Sequence, residues 1–197
     1  MPTARVALRR VVFPTNLGWM AMAGSGDVLW RLVFGHRSVA AAERALGPHW
    51  LERSRSVAWN AALRRLLQRY AAGQYIEFDE VPVECGASSE FARRVLQALR
   101  RVGYSRTTTY AALAAEAGSP KAARAVGNRM AANPIPLVVP CHRVVCSSGR
   151  IGYYSAVGGV ATKRRLLEME RRCIAGLPPV QTTMDTRHAN MNAPARH

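Results

Sequence analysis

Apolar positions near the start of the chain come in short runs separated by turn residues, the pattern of β-strands. Arg5–Phe13 and Trp19–Ala23 predict two strands, and the turn Gly24-Ser25-Gly26-Asp27 leads into a third over Val28–Phe34, giving a small antiparallel meander. The period then changes to that of helices. Ser38 can cap a helix running to Leu46, which Gly47-Pro48 stops. A second helix is predicted from Ser56 to Ala72, where Val57, Ala61, Leu63, Leu67 and Tyr70 keep a helical beat and Gly73 closes it. An acidic extended stretch, Glu77 to Glu84, interrupted by Pro82, marks the expected domain boundary.

Beyond that boundary the helical period dominates. Ser89 can cap a helix whose Phe91, Val95, Leu99 and Val102 share one face, ended by Gly103. Thr109 can cap Tyr110–Ala117, and Gly118 stops it. Ser119-Pro120, an N-cap followed by proline at the first helical position, predicts a further helix to about Met130. Two short helices joined by Gly-Ser form a helix-turn-helix candidate. Leu137–Val139 and His142–Cys146 then predict strands, the expected wing, before a last helix from Thr162 to about Arg172. Residues 176–197 lack apolar periodicity and carry three prolines, so a disordered tail is expected. The expected organisation is an N-terminal α/β domain (1–84), a C-terminal domain (85–175) and the tail.

Charge sharpens this picture. The chain of 197 residues has 28 Lys and Arg against 12 Asp and Glu, a net +16. Residues 85–175 hold 15 basic and 4 acidic side chains, while residues 1–84 hold 11 and 7. A compact half with that excess attracts polyanions, nucleic acid first. Only Lys121 and Lys163 are lysines, so the cations are almost all Arg, the better bidentate phosphate ligand. No apolar run is long enough to span a membrane, and Arg9 and Arg10 interrupt any signal-peptide core, so a cytoplasmic protein without membrane attachment is expected. Cys85, Cys141, Cys146 and Cys173 form no C-x-x-C, and the five histidines complete no zinc pattern; no bound metal is expected.

Pro140-Cys141-His142-Arg143 is the densest chemistry in the chain. A thiol attacks as thiolate, which needs a base, a cation or a helix N-terminus nearby. Taken alone, such a cysteine is more often a small buried hydrophobe and such a histidine a satisfied polar side chain. The wider stretch decides. Gly118-Ser-Pro-Lys-Ala-Ala-Arg-Ala-Val-Gly127, Asn133-Pro-Ile-Pro-Leu-Val-Val-Pro-Cys-His-Arg-Val-Val145, Ser147-Ser-Gly149, Gly152-Tyr-Tyr-Ser155 and Lys163 together resemble the methylated-DNA–protein-cysteine methyltransferases, the alkylguanine-DNA alkyltransferases. The resemblance is nearly continuous from Phe91 to Glu170 and looser before, where Thr15-Asn-Leu-Gly18 is similar to the family's N-terminal strand turn.

That resemblance implies a ribonuclease-H-like N-terminal domain with an antiparallel sheet and a mainly helical, winged helix-turn-helix C-terminal domain, an α+β protein. It implies stoichiometric transfer of an alkyl group from O6 of guanine, with O4 of thymine as a further substrate, in double-stranded DNA to Cys141. No cofactor is implied, because the protein itself is the acceptor, and a monomer is expected. His142 would be the base, acting through a water and oriented by Glu170. Asn133 would fix the backbone around the thiol, and Tyr110 would donate to the departing guanine. Cys141, Val144 and the Ser155 region would read the base edge. Since a stacked base is unreachable, it must be flipped out; Arg124 would fill the gap. Ala123, Ala125 and Gly127 keep that helix slim against the groove. Pro136, Met130 and Tyr154 would wall the alkyl pocket, although for Met130 plain core packing is an equal reading.

Two departures stand out. The segment Ala156–Thr162 is about two residues longer than in many family members, and Asn128 occupies a position where glycine is frequent. Among other classes, a non-catalytic alkyltransferase-like lesion binder would replace the cysteine that Cys141 supplies. A transcription factor would have no use for the Pro-Cys-His-Arg box, and a cysteine hydrolase would leave the basic charge unexplained.

Overall fold

Residues 7–87 and 89–178 of the chain are described by a computed structural model. The meander forms as expected, with longer strands: β1 (Arg9–Thr15), β2 (Gly18–Ser25) and β3 (Val28–His36) pair antiparallel. Arg5 and Val6, assigned to the first strand from sequence, lie outside the described residues, as does the part of the tail from 179 onward. The turn narrows to Gly26-Asp27, with Gly26 at φ 54°, because Ser25 pairs with Val28. Strand β2 is buried on both faces. Met20 and Met22 enter the main core, while Ala21 and Ala23 face a smaller cluster with Ala42 and Leu46 of α1 (Val39–Leu46). Small alanines on that face let the helix lie close.

Gly47-Pro48 ends α1 at Leu46 as expected, with Gly47 N donating to Arg44 O at 3.1 Å. Pro48 opens α2 (Pro48–Arg53) at a first-turn position where a missing N–H costs nothing. The helix expected from Ser56 starts only at Ala61, as α3 (Ala61–Ala71). Arg55–Ser56 instead form β4, parallel to β1, so that the sheet order is β3-β2-β1-β4. Asn60 then turns the chain through a left-handed conformation (φ 44°, ψ 61°), and its Oδ1 accepts from Leu63 N at 3.0 Å.

The later helices follow the caps. α4 (Glu90–Arg100) is capped by Ser89 and α5 (Tyr110–Glu116) by Thr109, each accepting from a backbone N–H three residues on. α6 (Ala123–Ala131) starts later than Ser119-Pro120 suggests. Residues 119–122 form a turn closed by Ala122 N donating to Ser119 O at 2.8 Å, and no side chain caps the helix. α7 (Gly159–Ile174) begins three residues before Thr162, after Gly158 at φ 81°. The strand expected at Leu137–Val139 is absent and that at His142–Cys146 shrinks to β6 (Val144–Val145), which pairs parallel with β5 (Thr108–Thr109). Pro134, Pro136 and Pro140 remove ladder donors, Leu137 sits at φ 72°, and Cys141–Arg143 tighten into a single 3-10 turn.

A single buried cluster runs from Phe13, Met20 and Phe34 through Leu67 and Tyr70 to Val95, Leu113, Cys141 and Leu166. Residues of the first and second halves of the chain therefore share one core. The 3-10 turn lies inside it, between α3, α6 and α7.

Candidate active site

The 3-10 turn places three consecutive functional side chains in the core, where a strand would have sent neighbours to opposite faces. Cys141 is 2% exposed. Asn133, directly after α6, donates from Nδ2 both to Cys141 Sγ (3.0 Å) and to Val139 O (2.9 Å), while its Oδ1 accepts from Ile135 N. One buried amide thus fixes the loop and touches the thiol. Burial pushes the Cys141 thiol up; Asn133, the Lys163 ammonium and the backbone N–H groups of Cys141 and His142 oppose it without winning. The resting sulfur is a thiol and needs a base.

His142 is fully buried, and its Nε2 lies 2.9 Å from Glu170 Oε1 on α7. Glu170 also accepts from Arg143 (Nη2 to Oε1, 2.9 Å; Nε to Oε2, 3.1 Å), from Ser105 N (2.9 Å) and from the Tyr70 hydroxyl (2.7 Å). Burial alone would raise the Glu170 carboxyl, but the hydrogen bonds and charges of His142 and Arg143 outweigh it and hold it down to about 2. His142 is lowered by burial in spite of the carboxylate beside it, with Arg143 and Lys163 acting in the same direction as burial. An ionised Glu170 offers only lone pairs, so Nε2 must carry the imidazole proton. Nδ1 is left as a bare acceptor, buried and with no hydrogen bond among the described residues. The arrangement can hold a neutral imidazole ready to take a proton near a protonated thiol.

A cavity of about 460 Å³ opens over the thiol, within the range of small-ligand sites, about 300–1,000 Å³. Its floor is Cys141; α6 supplies Ala123, Arg124, Gly127 and Met130, α5 supplies Tyr110, and the following loop supplies Tyr154 and Ser155. Arg124 is exposed at the rim, whereas Met130 and Tyr154 are buried. Burial raises the Tyr110 hydroxyl, with the two nearby cysteines adding to it, so it stays a proton donor. The Tyr154 hydroxyl is buried without a hydrogen bond of good geometry; burial raises it first and the neighbouring Cys141 sulfur further.

Not every residue singled out from sequence lines this cavity. Ala125 is exposed on another face of α6, and Pro136 lines an adjoining groove with Ser155 and residues of β3. Val144 is buried, and its carbonyl accepts from Lys163 Nζ at 2.5 Å. Three side chains of the site were given no role from the sequence: Tyr70, Arg143 and Lys163. Arg143 stands in the box itself, where only the 3-10 turn reveals that it points inward. Lys163 is a fully buried cation, 5.9 Å from the Tyr110 ring centre and close enough to favour a negative Cys141. Tyr70 reads as an ordinary core position on the apolar face of α3. Among the described residues no group of side chains is arranged to hold a metal ion.

Residues 90–172 match the family model described as 6-O-methylguanine DNA methyltransferase, DNA binding domain. The methylated-DNA–protein-cysteine methyltransferase of Mycolicibacterium paratuberculosis is 40% identical over 157 residues, 79% of this chain and 88% of that protein. The human protein of the same name is 54% identical over 81 residues, 41% of this chain and 38% of that one. Among solved structures, Mycobacterium tuberculosis OGT in complex with DNA superposes with a TM-score of 0.68 at 30% identity, covering 84% of this chain and 94% of that one. The O6-methylguanine-DNA methyltransferase of Pyrococcus kodakaraensis gives 0.62 at 26% identity, covering 82% and 98%.

Proposed function

The chain belongs to the methylated-DNA–protein-cysteine methyltransferases, DNA-repair enzymes that move an alkyl group onto a cysteine of their own, and on that premise we propose that Cys141 is the acceptor and O6-alkylated guanine in duplex DNA the donor. The observation that carries this reading is a buried thiol held by Asn133 at the floor of a base-sized cavity, one residue from a neutral histidine backed by an ionised glutamate.

In the proposed reaction His142 Nδ1 takes the thiol proton through a water. The thiolate attacks the alkyl carbon, the S–C bond forms as the C–O6 bond breaks, and the electron pair leaves on guanine. Tyr110, still protonated, donates to the departing base. The Lys163 ammonium favours the transient thiolate. The thioether is stable, so each molecule acts once. Arg124, exposed where α6 meets the cavity mouth, fills the stack after the base is flipped. Ser155 and the backbone of Cys141 read the base edge, and Met130 and Tyr154 wall the alkyl group. We assign residues 85–175 as the DNA-binding and acceptor domain and residues 1–84 as an N-terminal domain packed against it through the shared core. A monomer working in the cytoplasm suits the free thiols. No described helix is long and apolar enough to cross a membrane.

Loss of O6-methylguanine from a synthetic duplex, titrated against protein, tests the proposal. One lesion should vanish per protein molecule and then repair should stop, with none lost to a Cys141→Ala variant. Repeated turnover, or tight lesion binding without loss, would refute it.

A further inference from the structure

The catalytic constellation contains a side chain from the far end of the sequence. Tyr70 lies on α3, 72 residues before His142 and 100 before Glu170, and is fully buried. Its ring is fixed by Phe78 (centroids 5.5 Å apart) and by Tyr104, edge-on at 6.1 Å. Its hydroxyl sits between the two catalytic partners, 2.7 Å from Glu170 Oε1 and 3.3 Å from His142 Nε2.

Hydrogen counting gives this contact a direction. A hydroxyl has one proton. Burial first, then the Glu170 charge, raises the Tyr70 hydroxyl well above its ordinary value, so that proton is always present. It goes to the carboxylate, the shorter and charge-assisted bond. The tyrosine oxygen then presents only lone pairs to Nε2. Both neighbours of Nε2, the carboxylate and the committed hydroxyl, are acceptors. A proton on Nε2 has two places to go, and a bare Nε2 would face two lone-pair donors.

We propose that Tyr70 is a positioning residue of the reaction: its hydroxyl donates to the Glu170 oxygen that also faces His142 Nε2, so the carboxylate that fixes the Nε2 proton is shared between the two and Nδ1 is kept free as the base. The inference rests on the reading of Cys141 and His142 given above. It makes the N-terminal part of the chain a contributor to the chemistry. Burial, Glu170, Arg143 and Lys163 set the His142 proton affinity, while the Tyr70 hydroxyl faces the same nitrogen at 3.3 Å, Cys141 precedes His142 in the turn, Tyr104 lies against Tyr70 and Tyr154 beside Cys141. Without the Tyr70 proton, Glu170 would concentrate more of its charge on His142. The imidazole would then hold a proton to higher pH, and a protonated base cannot accept one.

The test measures alkylation of Cys141 by free O6-benzylguanine against pH, for the wild type and for Tyr70→Phe. The variant should react ~10-fold more slowly near neutral pH, with the acid limb of its profile moved to higher pH. Affinity for undamaged duplex should be unchanged. A tyrosine that merely packs would leave the profile where it is, and that result would overturn the proposal. Nitrogen NMR of His142, recorded against pH for the wild type and for folded Tyr70→Phe with matching helical circular dichroism, reads the effect directly: the variant's imidazole should become protonated at higher pH, and coincident titrations overturn the proposal. Absence of any wild-type adduct at Cys141 would instead refute the reading of the site itself.

Discussion

The Cys141 sulfur is kept protonated by burial, so its attack depends on a base that takes the proton. Arg143 shows how a buried charge is tolerated here: its guanidinium meets both Glu170 oxygens and donates to Val102 O at 2.7 Å. Removing one partner of such a pair typically costs about 3–5 kcal/mol, because the other charge is left uncompensated. Arg124 is the opposite case, exposed and without any part in this network. Its proposed task is extrusion, so Arg124→Ala should cut the repair rate on duplex at least ~10-fold while leaving the reaction with free O6-benzylguanine within about two-fold. Parallel rate measurements on the two substrates check this; equal losses would remove Arg124 from the flipping step.

At the scale of elements, the loop from Cys146 to Gly158 decides how Tyr110 sits. Gly152 has φ 76°, and a Cβ there would lie 3.2 Å from both the Tyr110 hydroxyl and Cys146 Sγ. Gly152→Ala therefore carries two penalties, a strained backbone and a displaced proton donor. We expect it to slow alkyl transfer ~10-fold or more with the helices intact, read by single-turnover kinetics beside circular dichroism. Elements were legible from sequence wherever the signal was local. Ser38, Ser89 and Thr109 cap their helices as the side chains suggest. Misreadings arose where pairing is distant or the cap unusual. β4 exists only through its partner β1, nearly fifty residues away, and Asn60 caps from a left-handed backbone. The apolar run before and after Cys141 mimics strands, but its prolines and a tight turn leave only the two-residue β6. Of the site, the box, Asn133, Tyr110 and Glu170 were readable from the family pattern. Tyr70 was not, because nothing local separates a core tyrosine from one whose hydroxyl meets a catalytic pair.

For the molecule as a whole, one core joins the first and second halves of the chain, and Glu170 and His142 couple its stability to pH. Glu170 is held at about 2 against an ordinary 4.5, so the unfolded chain binds its proton first as pH falls, and stability is lost between about 4.5 and about 2. His142 is lowered from 6.5, so its contribution is complete above that value and declines as pH falls below it. Both act in the same direction. The melting temperature should therefore fall steadily from pH 6.5 downward and most steeply below 4.5, and a flat profile down to pH 4 would contradict the ionisation states given to this pair. The central claim, that Cys141 and no other thiol receives the alkyl group, is tested most directly by peptide mass mapping after reaction with duplex DNA carrying one O6-methylguanine. The account predicts a single added methyl, confined to the Cys141 peptide and absent in Cys141→Ala. A methyl on Cys85, Cys146 or Cys173, or none on any peptide while the lesion is bound, would contradict it.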